Sequence, residues 1–441
     1  MFHHIPQAVL AFFVATSLLS AQGSDPTLEA WRLNLDGTTG TSVDPGINAS
    51  ISNIEADVTG AVYTNAHVFV DAEGIPSHTI GPWNFNPNTA TARNWTWRIP
   101  RNPQPATTHA ETSLGQIGTM VNGVPFFNMS DGRSYHNRRV WEQDAIYFEG
   151  QSMDVGLGHP QQTGDYHYHS YPRLLAGQRG DSPRDHSPIL GFAFDGYPIY
   201  GPYAFLNPDG TGGLKKMETS YRLRNITQRR SLPDGTQLSS GDWGPDVSSQ
   251  YPLGCYLQDN EYVVGLGDLD EFNGRFGMTP EYPQGTYAYY MTLDASGEPA
   301  YPYLVGPTYY GVVDSANIGP GSGHISPPGT AVDYTPLALY VNDVVAGGIA
   351  RIAVGNCGPG ARVFLGYSLA GSGPLNTPWG VGALSPPIKS IGPYTSNING
   401  LVSIQAPVPG MMQGKTIYAQ AVSTPQGGTT TLSSPARVTV Q

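Results

Sequence analysis

The chain has 441 residues, with 39% hydrophobic, 11% aromatic and only 13% charged side chains, so it can bury a sizeable core and is too apolar to be disordered throughout. Its formal net charge of −12 argues against a nucleic-acid partner, because an acidic surface repels phosphate, and suits cations or neutral ligands; solubility outside a cell explains the same charge equally well. The only two cysteines, Cys255 and Cys357, exclude a multi-bridge disulfide framework and a four-cysteine zinc site.

At the start of the chain, residues 8–19 form a largely apolar run that ends in the small and polar Ser20, Ala21, Gln22 and Gly23. The run is shorter than the ~20 residues needed to cross a bilayer, so residues 1–23 read as a signal peptide and the mature chain as secreted, periplasmic or cell-surface. A single membrane anchor is the alternative, since His3 and His4 stand where Lys or Arg is usual. No later stretch has the length of a transmembrane helix, so the mature protein is not expected to span a membrane. Abundant Gly (55) and Pro (39) favour short strands joined by many turns, which predicts a mainly β fold. Strands are expected at residues 61–70 (AVYTNAHVFV), 95–99 and 288–293, and one short helix at 225–232. Residues 24–316 then form one large β-rich domain with long loops.

The densest chemical segment is residues 154–169, DVGLGHPQQTGDYHYH. If its end is extended, period two puts His167 and His169 on one face and Tyr166 and Tyr168 on the other. Two imidazoles on one strand face can serve one metal ion, and His159 in the preceding turn can supply a third. His186 is a candidate fourth ligand; Asp195 and Asp165 are candidates to orient an imidazole from behind. Three histidines with an open position describe a catalytic zinc site, and histidine with tyrosine also suits copper. The metal-free alternative is a strand that buries two tyrosines and hydrogen-bonds two histidines to carbonyls or carboxylates. A second cluster, Asp268, Asp270 and Asn273, offers hard oxygen ligands for calcium, set against a turn whose carboxylates simply cap backbone N–H groups.

Residues 317–336 (NIGPGSGHISPPGTAVDYTP) have no apolar period and read as a Gly/Pro-rich linker. Beyond them, segments 349–354, 362–367 and 416–422 are short, β-branched or aromatic, and bounded by Gly or Pro, which predicts a small β-sandwich module over 337–441. From Pro336 onward one acid faces five bases, leaving 33 acids and 17 bases in the rest, so the charge reverses across the linker.

The motif Tyr166-His167-Tyr168-His169 resembles the one that names the YHYH domain family. The segments NGVPFF (122–127), GHPQQTGDYHYH, HSPILGFAFDGYPIYGP (186–202), GDLDEFNGRFGMTPEYPQGTYAYY (267–290) and YPYLVGP (301–307) resemble family segments in family order, and GIPSHTIGPWNFNPN (74–88) resembles longer members. The resemblance implies a secreted or envelope-associated bacterial protein and no particular reaction. Gly156 and Phe272 stand where family members often have Cys. If those cysteines pair in relatives, loop 154–159 is implied to lie beside turn 268–273. The C-terminal end, LSSPARVTVQ, loosely resembles Ig-like modules of secreted bacterial proteins.

Three functions of different class fit these features. One is a metal-binding protein, a hydrolase or oxidase if it is an enzyme, acting on a small molecule. Another is a non-catalytic envelope protein whose many aromatic side chains bind carbohydrate or another extracellular polymer. In the third, the motif only maintains a fold.

Overall fold

A computed structural model describes residues 25–319, 321–342 and 344–440; the expected signal peptide lies outside them. Strands dominate and helices are few and short, so the fold is mainly β. Among the described residues no helix is long and apolar enough to cross a membrane.

The N-terminal part holds β1 (Val58–Tyr63), β2 (His67–Ala72), β3 (Trp95–Pro100), β4 (Gln116–Met120), β5 (Pro125–Phe127), β6 (Gly158–Pro160), β7 (Tyr166–Tyr168), β8 (Ile189–Ala193), β9 (Pro198–Tyr200), β10 (Gly274–Gly277) and β11 (Thr286–Tyr290). Segment 61–70, expected as one strand, is divided between β1 and β2 by a turn in which the Thr64 hydroxyl accepts from the amides of Ala66 and His67. No helix forms at 225–232: the carbonyls of Thr227, Arg229 and Arg230 accept from the amides of Val247, Gly244 and Leu238 rather than from within the segment, and the Arg229 side chain turns inward to a fully buried ion pair with Asp259. An eight-stranded sheet has the order β10-β11-β9-β8-β4-β5-β7-β6. Its pairs are antiparallel except β11/β9 and β5/β7. One apolar core packs this sheet against the sheet of β1, β2 and β3, through Val68, Val70, Trp97, Phe126, Tyr166, Tyr168, Phe192 and others.

Residues 317–336 are anchored at several points. His324 stacks on Trp95 at 5.1 Å, the Ile325 amide donates to Thr96, and β12 (Val332–Asp333) pairs with β1. The C-terminal part holds β13 (Ala338–Asn342), β14 (Ile349–Gly355), β15 (Arg362–Ser368), β16 (Lys389–Thr395), β17 (Val402–Pro407), β18 (Thr416–Thr424), β19 (Thr431–Leu432) and β20 (Ala436–Thr439), and the short strands not named in either part pair only in two-stranded sheets. Strands β13 to β20 form a β13-β14-β17 sheet facing a β16-β15-β18-β19 sheet with β20 also on β18, a small sandwich. Alternate residues of both sheets, including Leu339, Ile352, Val363, Leu365, Ile404 and Ala421, fill a core of its own. Tyr340 ties the sandwich to the larger part, its hydroxyl accepting from the Leu33 amide at 2.6 Å and donating to the Trp31 carbonyl at 3.2 Å.

Candidate metal centre

Strands β6 and β7 make a hairpin in which His159 stands directly opposite His167. Directly paired residues share a face, and period two adds His169 to it. The loop between them closes through Gln161 N–H to the Asp165 carbonyl and Gly164 N–H to Gln161. Gly164 is required there: its φ is +89° and an added Cβ would lie 2.1 Å from the Thr91 hydroxyl. On the opposite face Tyr166 and Tyr168 enter the core, where the Tyr166 hydroxyl donates to Asp154 at 2.9 Å and the Tyr168 hydroxyl meets His78 Nε2 at 2.8 Å.

The three imidazoles converge. Ring centroids are 4.6 Å apart for His159 and His167, 4.9 Å for His167 and His169, and 5.6 Å for His159 and His169. All three are buried. Each Nδ1 is occupied from behind: that of His167 by the Asp165 carbonyl at 3.0 Å, that of His169 by the Asn128 carbonyl at 2.6 Å, and that of His159 by the Ser152 hydroxyl at 2.8 Å. A carbonyl only accepts, so the neutral His167 and His169 rings carry their protons on Nδ1 and turn bare Nε2 lone pairs inward. These two nitrogens stand 3.1 Å apart, and the Nε2 of His159 has no hydrogen-bond partner. Among the described residues this is the one group of three or more His, Cys, Asp or Glu side chains close enough together to hold an ion.

Burial favours the uncharged imidazole and lowers all three pKa values, His159 to about 3 and His169 to about 4, with the neighbouring imidazoles adding to the shift at His159 and His167. Glu149 approaches from the pocket side, its Oε2 3.7 Å from His159 Nε2 and 3.5 Å from His169 Nε2. Burial, then the Asp131 carboxylate, raises its pKa to about 7. Phe127 stacks on His167 with centroids 3.9 Å apart, which fixes the ring plane. The site opens into a pocket of about 750 Å³.

Several residues singled out from the sequence lie elsewhere. His186 does not join the triad. It precedes β8, which two strands, β4 and β5, separate from β7, and it packs on Tyr200 and Phe205 with Nδ1 at the Ser187 carbonyl, facing the cleft between the two parts of the chain. Asp195 orients no imidazole; it accepts from the Tyr289 hydroxyl and the amides of Gly311 and Tyr197, and burial raises its pKa to about 6. Asp165 supports His167 through its backbone carbonyl, while its carboxylate takes Gln161, Thr163 and Arg93.

The expected calcium ligands are spent on protein partners, in the turn and in neighbouring segments. Asp268 receives Lys215 and the Glu218 amide; Asp270 receives the amides of Phe272 and Gly274 and the Tyr287 hydroxyl; Asn273 donates to the carbonyls of Tyr290 and Leu304. Loop 154–158 and this turn flank strands at opposite ends of the sheet order, and no hydrogen bond joins them among the described residues.

Reading the sequence missed Glu149, Ser152, Asn128, Phe127 and Asp154. The buried Asp154 carboxylate accepts from the amides of Gly81, Gly156 and Gly158, the Trp83 indole and the Tyr166 hydroxyl, and so shapes the turn that delivers His159. A cluster of Asp and Gly before a histidine was the available signal.

The family described as YHYH protein matches this chain over residues 96–301, a span that contains the triad, Glu149 and Asp154. No curated protein matches the chain.

Proposed function

We propose that this YHYH-type chain is an exported protein that binds a divalent transition metal at His159, His167 and His169, with Glu149 as a replaceable fourth ligand. One observation carries the reading. Two Nε2 lone pairs face each other at 3.1 Å in a buried site, and both Nδ1 protons are spent on carbonyls. Such a pair repels unless something electropositive lies between. A proton would make a buried imidazolium, which burial disfavours; a cation resolves the contact. Tetrahedral zinc with bonds of ~2.0–2.1 Å holds its ligand atoms about 3.3 Å apart. The 3.1 Å separation and the Glu149 distances of 3.5 and 3.7 Å come near that spacing. Zinc suits the set best, and copper accepts the same imidazoles.

A metal in this position would act as a Lewis acid on an oxygen of the pocket's occupant. The chain's own part is to hold three rings in one tautomer through Ser152, Asp165 and Asn128 and to keep Glu149 on the open side, where a substrate oxygen or water can replace it.

Metal analysis and zinc titration of the purified chain test this. About one equivalent is expected, with affinity at least ~100-fold weaker in His167→Ala or His169→Ala. A chain that is purified without metal and takes up neither zinc nor copper ends the proposal. Export belongs to the same reading: the mature N-terminus should fall between Gln22 and Asp25, and an intact Met1 in a cytoplasmic fraction would contradict it.

A further inference from the structure

Phe85 departs from what a folded chain ordinarily does in two ways. Its side chain is 89% exposed, and its φ of +62° puts a bulky residue in the left-handed region that L side chains seldom adopt. Its loop is nevertheless tightly held. The Trp83 indole donates to Asp154 at 3.2 Å, and the Asn86 carboxamide donates at 2.9 Å to the carbonyl of Pro160, the residue after His159. The Asn88 amide in turn donates to Asn86 Oδ1 at 2.9 Å. These bonds hold the loop that presents the exposed phenyl to the pocket, and Phe85 shares that pocket's lining with the histidine cluster. Phe148, 37% exposed, stands in the same lining on the helical turn that ends in Glu149.

Between these aromatic groups the walls carry carboxamides, Gln143, Gln161 and Gln162 among them, and the charged lining is limited to Asp131, Arg133 and Glu149. Two acids and one base give no preference for an anion. Carboxamides both donate and accept, which matches vicinal hydroxyls, and a phenyl face matches the C–H face of a pyranose ring. The volume of about 750 Å³ falls within the range of ligand sites.

We propose that this pocket is a subsite for a neutral glycan, with Phe85 as the stacking platform and one sugar oxygen directed at the His159, His167, His169 and Glu149 group. Only that last contact rests on the metal reading; the stacking and the carboxamide contacts do not.

The test is calorimetric titration of the full chain, zinc-loaded and chelator-treated, with neutral cello-, xylo-, manno- and chito-oligosaccharides, an acidic polygalacturonate oligomer and an unstructured peptide. At least one neutral series should bind, Phe85→Ala should weaken it at least tenfold, and Phe85→Trp should restore it. The zinc content of Phe85→Ala should equal that of the parent chain. The proposal is overturned if no neutral glycan binds while zinc is retained, if only the acidic oligomer or the peptide binds, or if Phe85→Ala binds as tightly as the parent. Glycan binding that survives in a zinc-free His167→Ala chain supports the subsite and counts against the metal reading, so the two can fail separately.

Discussion

Asp154→Ala tests whether one buried carboxylate organises the metal centre from behind. Five donors from three segments meet it: Gly81 and Trp83 in the loop that leads to Phe85, Gly156 and Gly158 in the turn before His159, and Tyr166 on β7. Each hydrogen bond contributes about 1 kcal/mol net, more with a charged acceptor, and a donor left unsatisfied in the interior costs ~1–3 kcal/mol. Water entering the small void satisfies some of the five, so we expect a loss of about 3–5 kcal/mol, the range for removing one partner of a buried charge network. Asp154→Asn should cost less, roughly 2 kcal/mol. Its oxygen can keep Gly156 and Gly158, and the Tyr166 hydroxyl can turn to accept, but its amide then opposes the N–H groups of Gly81 and Trp83. Urea unfolding followed by tryptophan fluorescence gives both values on chelator-treated protein. Zinc titration should show affinity about 10–100-fold weaker in the Ala variant, because the turn that aims His159 is loosened. An Ala variant within 1 kcal/mol of the parent, or one with unchanged zinc affinity, would refute this account.

The apo protein should hold the triad neutral: His159 and His169, lowered to about 3 and about 4, should show no imidazole titration by NMR between pH 7.5 and 5. Because unfolded histidine takes up protons near pH 6.5 and the native rings do not, their contribution to stability is complete above that pH and is lost as pH falls towards 4. The raised carboxyls of Asp144 and Glu149, both at about 7, oppose this, since they stabilise the fold at low pH and lose that effect as pH rises from about 4 to 7. The difference between the parent chain and a His159→Asn, His169→Asn variant isolates the histidines, and a difference that does not change with pH contradicts the assignment. Arg229→Met should destabilise by about 3–5 kcal/mol in urea unfolding, because it leaves the fully buried Asp259 without its two 2.7 Å hydrogen bonds; a cost below 1 kcal/mol would mean the pair is not formed. For the proposed division into two modules, residues 337–441 expressed alone should unfold cooperatively around their own core, and a fragment without a transition argues for one inseparable unit.

The parts of the site that could be read from the sequence obey a local rule. His167 and His169 share a face because strand side chains alternate, and His159 joins them because eight residues is a short enough path for a hairpin whose loop contains Gly164. The three C-terminal segments recognised from β-branched residues between Gly and Pro are strands for the same local reason. What failed depended on the order of strands. His186 is 17 residues from His169, close in sequence, yet β4 and β5 lie between the strands that follow and precede it. The turn at 64–66 carries no strong mark in the sequence, since it has neither Gly nor Pro and closes through a threonine hydroxyl.

Glu149 shows where such reading stops. It ends a helix of only five residues, Ala145–Glu149, too short to display a period of 3.6, and nothing in its neighbours marks it as chemical. Its role arises from three placements made separately: Asp144 caps the helix through the Tyr147 amide, Asp144 is itself held by the Tyr303 hydroxyl from far along the chain, and Ser152, three residues after Glu149, bonds both the Glu149 carbonyl and His159. The contact of Ser152 with His159 ties the backbone carrying the carboxylate to the ring it faces. Substitution of Ser152 by Ala would therefore act on the site twice, freeing the His159 tautomer and releasing the turn that keeps Glu149 over the open side of the triad.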